Sequence, residues 1–298
     1  MEIPFNEIEL QTNIDFFQAD QRIVTDVLRL DKIHPVISGN KWFKLKKYIE
    51  EAVRLRKTTI LTFGGAWSNH IIATAAACEL NGLKSVGIIR GEQPTTLSYT
   101  LQQAIFHGMQ LIFTSRENYK KKIIKQEIIE QEDIFIINEG GYGIPGAIGF
   151  SEIFSSIDIE PYSHICCAIG TGTMMAGIIK AAHQNQEIIG IPVLKKFTSV
   201  ATEVNKLLTT AEQLKKIKFF HDYHFGGYAK SSPHLFQFMN EFYKRNKVPT
   251  DLVYTGKLFY AIADLVKNNY FEKYSRVLII HSGGLQGNFS LPKNVLIF

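Results

Sequence analysis

Cysteine is scarce in this chain. Its 298 residues include three: the adjacent pair Cys166 and Cys167, and Cys78 far from both. Neighbouring cysteines rarely bridge each other, and no metal-ligand spacing is present. A chain kept reduced is the reading, with the cytoplasm as the expected compartment. Long apolar runs are lacking too. No stretch approaches the roughly 20 residues that span a bilayer. The N-terminus, MEIPFNEIEL, carries acids where a signal peptide has an apolar core. Neither sign of charge dominates, because 33 Lys and Arg stand against 28 Asp and Glu, with the bases spread along the chain. The one basic run, Lys120-Lys121-Lys122, shares a pattern with Ile123, Ile124, Ile128 and Ile129. That pattern predicts an amphipathic helix with a solvated face, not a nucleic-acid patch. Repeats, low-complexity segments and coiled-coil heptads are missing, which argues against a structural or interaction protein. No nucleic-acid or membrane partner is expected.

What is present is material for a large core, since 45% of residues are hydrophobic. From Thr58 onward, short β-branched runs alternate with helical patterns. TTILTF (58–63), SVGIIR (85–90), MQLIFT (109–114) and DIFIIN (133–138) predict strands. HIIATAAACELNG (from His70) and LSYTLQQAIFHG (97–108) predict helices. A glycine-rich stretch, NEGGYGIPGAIGF (138–150), holds too many glycines for regular structure and reads as a hinge between two lobes. Alternation then resumes with the strand HICCAIG, the helix MMAGIIKAAHQ and the strand EIIGIPVL. An irregular region follows from about residue 197 to 232. The helix KLFYAIADLVKN and the strand RVLIIH close the chain, ending in the loop SGGLQGNF. The fold class is α/β, with two lobes, parallel or mostly parallel sheets and a cleft between them. Ligands in such sheets sit beyond the carboxyl ends of the strands.

Three segments carry chemistry. In AIGTGTMMAG (168–177), Gly170 and Gly172 allow close backbone approach, while Thr171 and Thr173 offer hydroxyls. The following helix start offers free N–H groups, a seat for phosphate. No Gly-Lys-Ser/Thr closes it, so it is not a Walker loop, and the full dinucleotide fingerprint is missing. A tight turn without a ligand is the bland alternative. In FGGAWSNH (63–70), Ser68 and Asn69 cap a helix whatever the function, and the same groups could bind a carboxylate. The third segment is SGNKWFKLKKY (38–48). Its turn residues and the spacing of Trp42, Leu45 and Ile49 place Lys41 in a first helical turn. The helix dipole disfavours a cation there. An exposed surface lysine is the ordinary reading. The alternative is a lysine whose pKa is depressed by the helix end and by Lys44. Such an amine attacks a carbonyl, and pyridoxal phosphate offers both an aldehyde for Lys41 and a phosphate for the Gly-Thr loop.

SGNKWFKLKKY resembles the Gly-Asn-Lys segment of the 1-aminocyclopropane-1-carboxylate (ACC) deaminase and D-cysteine desulfhydrase family. These are pyridoxal-phosphate enzymes with the tryptophan synthase β-subunit-like fold (fold type II). WSNH, GGYGIPGAIGF, GTGTMMAG, FGGYAK, VYTGK and IIHSGG resemble further family segments in the same order. The resemblance implies a large cofactor-binding domain of residues 1–47 and 152–298, with a small α/β domain of 48–151. It implies that Lys41 is the Schiff-base lysine, that Lys44 reaches the phosphate and that Gly170, Thr171, Gly172 and Thr173 cradle it. Asn69 would meet the phenolic oxygen, Tyr254 the pyridine ring and Ser282 the ring nitrogen. Ser68, Asn69 and His70 would hold the substrate carboxylate, and Tyr228 would approach the substrate. Lys41, Tyr228, Tyr254 and Ser68 are thus the candidate catalytic residues.

Departures from the family pattern bear on substrate. Where ACC deaminases carry glutamate and leucine, this chain has Thr255 and Ser282. Neutral hydroxyls near the pyridine nitrogen favour its protonation less than a carboxylate does. This points to elimination of a β-substituent from a small amino acid, as in D-cysteine desulfhydrase, giving pyruvate, ammonia and sulfide. ACC deaminase is the alternative within the class. A non-catalytic phosphate-binding α/β protein is the alternative outside it. Relatives are commonly homodimers, so a homodimer is expected.

Overall fold

The computed structural model describes residues 7–17, 23–123 and 132–298. Two sheets organise them. The larger runs β1-β2-β10-β7-β8-β9, built from Glu9–Gln11 (β1), Val24–Arg29 (β2), Arg276–His281 (β10), His164–Ile169 (β7), Glu187–Pro192 (β8) and Lys216–Phe219 (β9). The smaller runs β5-β4-β3-β6, from Met109–Thr114 (β5), Lys84–Arg90 (β4), Thr59–Gly64 (β3) and Ile134–Ile137 (β6). Every pairing is parallel except that of β1 with β2. The fold is thus the expected α/β class with parallel-dominated sheets.

Strand periodicity explains the layers. Ile165, Cys167 and Ile169 of β7 point to one face of the large sheet, Cys166 and Ala168 to the other. The first set packs with Thr173–Ala181 (α6) and Ile144–Ser151 (α5), and the second with Pro233–Asn246 (α8) and Thr255–Lys267 (α9). All three cysteines are free and buried, Cys166 and Cys167 in these layers and Cys78 against the small sheet. In the small sheet, Ile60 and Ile137 meet Lys41–Arg54 (α1) and Asn69–Leu80 (α2), while Tyr99–Phe106 (α3) continues that layer. Leu61, Phe63 and Ile88 face Tyr119 of the short helix Arg116–Lys120 (α4) on the other side. Ile124, Ile128 and Ile129 of the anticipated basic helix lie outside the described residues. Among the described residues no helix is long and apolar enough to cross a membrane, and no cluster of metal-ligating side chains occurs.

Three expectations need correction. The stretch 138–150 is not all hinge, because helix α5 begins at Ile144. Its glycines are contact points. A Cβ on Gly149 would lie 2.2 Å from the Phe43 carbonyl oxygen of α1, and one on Gly177 of α6 would lie 2.7 Å from the Ala147 oxygen. Glycine here lets three helices pack backbone to backbone, and Ala147 and Phe150 are fully buried against the large sheet. The stretch 197–232 is not wholly irregular: it contains Val200–Asn205 (α7) and the edge strand β9. Finally, β1, β2 and α8 carry no clear sequence signal. Their register comes from partners, as when β2 pairs along β10 from Val24↔Arg276 to Arg29↔His281.

Candidate active site

Helix α1 begins where the chain is pinned to the end of β10. Gly39 donates its N–H to the Leu30 carbonyl at 2.8 Å, and Asn40 donates to the Ser282 carbonyl at 3.2 Å. Gly39 has φ +70°, and a Cβ there would lie 1.8 Å from the Ser282 oxygen, so only glycine fits. This turn delivers Lys41 as the first residue of α1. Its Nζ donates to Oδ1 of Asn40, and the Asn40 amide in turn donates to Sδ of Met174 at 3.0 Å.

Burial lowers the Lys41 pKa to about 8, against an opposing pull from the Asp251 carboxylate. The direction is as expected but the cause is not: desolvation dominates, and the lysine–lysine repulsion falls on Lys44. That residue is buried, and its amine is held well below the usual range by desolvation first and Lys41 second. No ion pair among the described residues uses Lys44.

Lys41, Lys44, Asn69, Gly170, Thr171, Gly172, Tyr254 and Ser282 line one cavity. Gly170 sits so close to Tyr254 that a Cβ would be 3.1 Å from its ring, and Gly172 adopts φ +90° as it caps α6. Thr173 is different: it is fully buried, with its hydroxyl 3.1 Å from that of Thr171. An adjoining compartment of about 300 Å³ is lined by Lys41, Ser68, Asn69, His70, Tyr228 and Tyr254, with Gly65, Arg90 and Glu139. The Tyr228 and Tyr254 rings meet edge to face at 6.1 Å. Burial raises both hydroxyl pKa values. His70 is buried and neutral, its pKa pushed down to about 3 by burial and then by Lys41 and Lys44. Thr62 donates to the Ile137 carbonyl at 2.9 Å, so His70 Nε2–H must donate to Thr62 Oγ1 at 2.8 Å. That leaves Nδ1 as a bare lone pair with no partner.

Two residues outside the original candidate set hold this wall together. Asp251 is fully buried and accepts from the N–H groups of Val253, Tyr254 and Thr255 at 2.8 to 2.9 Å, and from the Thr255 hydroxyl at 2.7 Å. Lys257 is buried, and its ammonium donates to the carbonyls of His224 and Gly227 at 2.9 and 2.7 Å, fixing the loop that carries Tyr228. The segments FGGYAK and VYTGK are therefore physically tied. Asp251 stands three residues before the N-cap position of α9, held by Tyr254, so no local capping pattern announces it. Arg90 and Glu139 are further lining residues missed in the sequence. Both lie at or just past carboxyl ends of strands, β4 and β6, where parallel sheets place ligands.

These residues suit pyridoxal phosphate on structural grounds. A buried amine without a carboxylate partner and a glycine-threonine loop at a helix start face each other, which fits a phosphate. Asn69 is half-buried, and its Oδ1 is buried and unpartnered, an amide left for a ligand to satisfy. The arrangement defines an α/β enzyme of the fold type II kind, with a lysine at the mouth of a phosphate seat. A family described as pyridoxal-phosphate dependent enzyme matches residues 22–283, and the chain belongs to it. Among curated relatives, a protein of Thermotoga maritima named putative 1-aminocyclopropane-1-carboxylate deaminase is 29% identical over 91% of each chain. One of the same name from Pyrococcus horikoshii is 27% identical over 87% of this chain and 84% of its own. A solved ACC deaminase homologue superposes with TM-score 0.81 at 23% identity, covering 97% of this chain and 93% of the other. A hydrogen sulfide-producing enzyme of Fusobacterium nucleatum superposes with TM-score 0.71 at 16% identity, covering 97% and 98%.

Proposed function

We propose that this pyridoxal-phosphate enzyme eliminates the β-substituent of a small amino acid, most like D-cysteine desulfhydrase. The net reaction on D-cysteine consumes one water and releases pyruvate, ammonia and hydrogen sulfide. The observation that carries the reading is Lys41: a partly desolvated amine at the junction of the phosphate seat and the substrate compartment. When bound, the cofactor supplies an electron sink for the pair left by the α-proton. Everything else falls to the chain. Lys41 would hold the cofactor's aldehyde and, as a neutral amine, would take the α-proton as general base. Tyr228 and Tyr254 stand beside it to hold or return a proton. Lys44 and residues 170–172 anchor the phosphate, with Thr173 supporting Thr171 from below. Asn69 donates to the phenolic oxygen. Ser68, with the N-terminus of α2, takes the substrate carboxylate.

Ser282 lines the cavity, and its hydroxyl would meet the ring nitrogen. Asp251 lies on this side as well, 3.5 Å from an ideal Cβ on Gly284, but both its oxygens are spent on residues 253–255. A neutral partner for the nitrogen therefore remains the reading, and it favours loss of a good leaving group over opening of a cyclopropane ring. ACC deaminase is the second reading, favoured by the names of the curated relatives. The proposal includes the division into residues 1–47 with 152–298 and 48–151, a homodimer, and a cytoplasmic location. The purified enzyme is tested by titration with D- and L-cysteine, D-serine and ACC. Pyruvate and sulfide from D-cysteine are expected. Exclusive release of 2-oxobutyrate from ACC establishes the second reading. A protein that takes up no cofactor sinks both.

A further inference from the structure

One cation of the substrate compartment has no task in the scheme above. Arg90 ends β4 and stays exposed, with its guanidinium over the loop that precedes α2: a Cβ on Gly65 would be 3.4 Å from Nη2. The guanidinium stands 5.7 Å from the Tyr119 ring centroid. It forms no ion pair among the described residues, although Glu139 lines the same compartment. The other basic side chains lining this compartment are Lys41 and His70. Lys41 is committed to the aldehyde. His70 is neutral, and its one free ring atom is a lone pair, which repels a carboxylate. Ser68 and the start of α2 offer hydrogen bonds but no full charge. An amino-acid carboxylate entering here meets one permanent cation.

We propose that Arg90 binds the α-carboxylate of the substrate, in a forked pair above the Gly65–Ser68 loop. The inference rests on the proposed amino-acid chemistry of this site. Arginine suits the role because its planar fork matches two carboxylate oxygens, and because it keeps its charge at any working pH. Tyr119, beneath the guanidinium, limits where the fork can point.

The test uses cofactor-loaded wild type, Arg90→Met and Arg90→Lys. Binding of D- and L-alanine, and of ethylamine, which lacks the carboxylate, is followed by the absorbance change of the bound cofactor. Arg90→Met should weaken alanine binding about 10- to 100-fold and leave ethylamine unchanged. Arg90→Lys should fall between, as a point charge without the fork. Unchanged alanine affinity in Arg90→Met overturns the inference. So does equal weakening of alanine and ethylamine, which marks a mere support for Tyr119. Failure of the underlying reading looks different: the wild type itself takes up no cofactor or responds to no amine.

Discussion

Two helices of this molecule start with a lysine in the first turn beside the same buried aspartate, and the two lysines behave differently. Lys41 opens α1 and Lys257 sits in the first turn of α9. Burial lowers both pKa values to about 8, and Asp251 opposes the shift in both. Lys257 is sealed, with its ammonium shared between two carbonyl oxygens. Lys41 has a single amide acceptor and opens onto both compartments of the cleft. A depressed pKa is thus a consequence of desolvation and says nothing about reactivity. Access and unsatisfied valence separate the nucleophile from the tie-rod.

The sharpest way to break this comparison is to remove each amine. Lys41→Ala should abolish the borohydride-stabilised bond to cofactor and cut turnover at least about a thousandfold. Lys257→Ala should keep the bond, which peptide mapping of the reduced protein reads directly. Stability should then split in sign. Lys257→Met orphans two carbonyls and frees the Tyr228 loop, costing about 2–4 kcal/mol in urea unfolding. Lys41→Met removes a poorly paired buried amine and should leave the apo-protein as stable or more so. A third change tests the frame that aims α1. Gly149→Ala drives a methyl against the Phe43 carbonyl and should cost about 1–3 kcal/mol, read by the same unfolding curves.

The most gradual effect is on pH. Both lysines have folded pKa values of about 8 against a usual 10.5. Between these values the unfolded chain binds more protons, so stability of the apo-protein should rise with pH. The gain is at most roughly 1 kcal/mol per lysine per pH unit. It should be complete as the pH reaches the ordinary lysine value, and absent below 8. Cofactor uptake should accelerate through pH 8 as Lys41 loses its proton, whereas a flat profile would remove Lys41 from the first step.

Much of the site was legible because it consists of local signals. The turn Ser38–Asn40, the Gly170–Thr173 loop and the helix start at Ser68 each put turn residues before a helix, although the expected cap is not made: Ser68 holds the N-cap position without a side-chain hydrogen bond, and Asn69 is the first helical residue. The strands of the small sheet were legible for a similar reason: they are continuous apolar runs bounded by turn residues. The misreadings have physical causes. Glycines in α5 looked like breakers because their value lies in contact with α1 and α6. Strand β9 alternates charged and apolar residues over only four positions, too short a pattern without its partner β8. Nothing local in α1 announces that Lys47 reaches Glu152 at 2.6 Å, a pairing between α1 and the residues after α5.

What the sequence alone determined is the set of chemical groups and the local geometry that aims them. It names a lysine after a glycine-asparagine turn, a threonine-glycine loop before a helix, and hydroxyls in place of a glutamate and a leucine at two late motifs. Tertiary structure decided charge and access. Lys41 is desolvated because segments from about 30 to more than 240 residues away, at 68–70, 139–140, 170–171, 254 and 282–284, close around it. His70 is left as a neutral acceptor by a hydrogen bond from its ring to Thr62, and Lys257 is silenced by carbonyls 30 residues upstream. Desolvation and hydrogen-bond saturation depend on every atom within a few ångströms, whatever its position in the chain, and that neighbourhood exists only once the two sheets have come together.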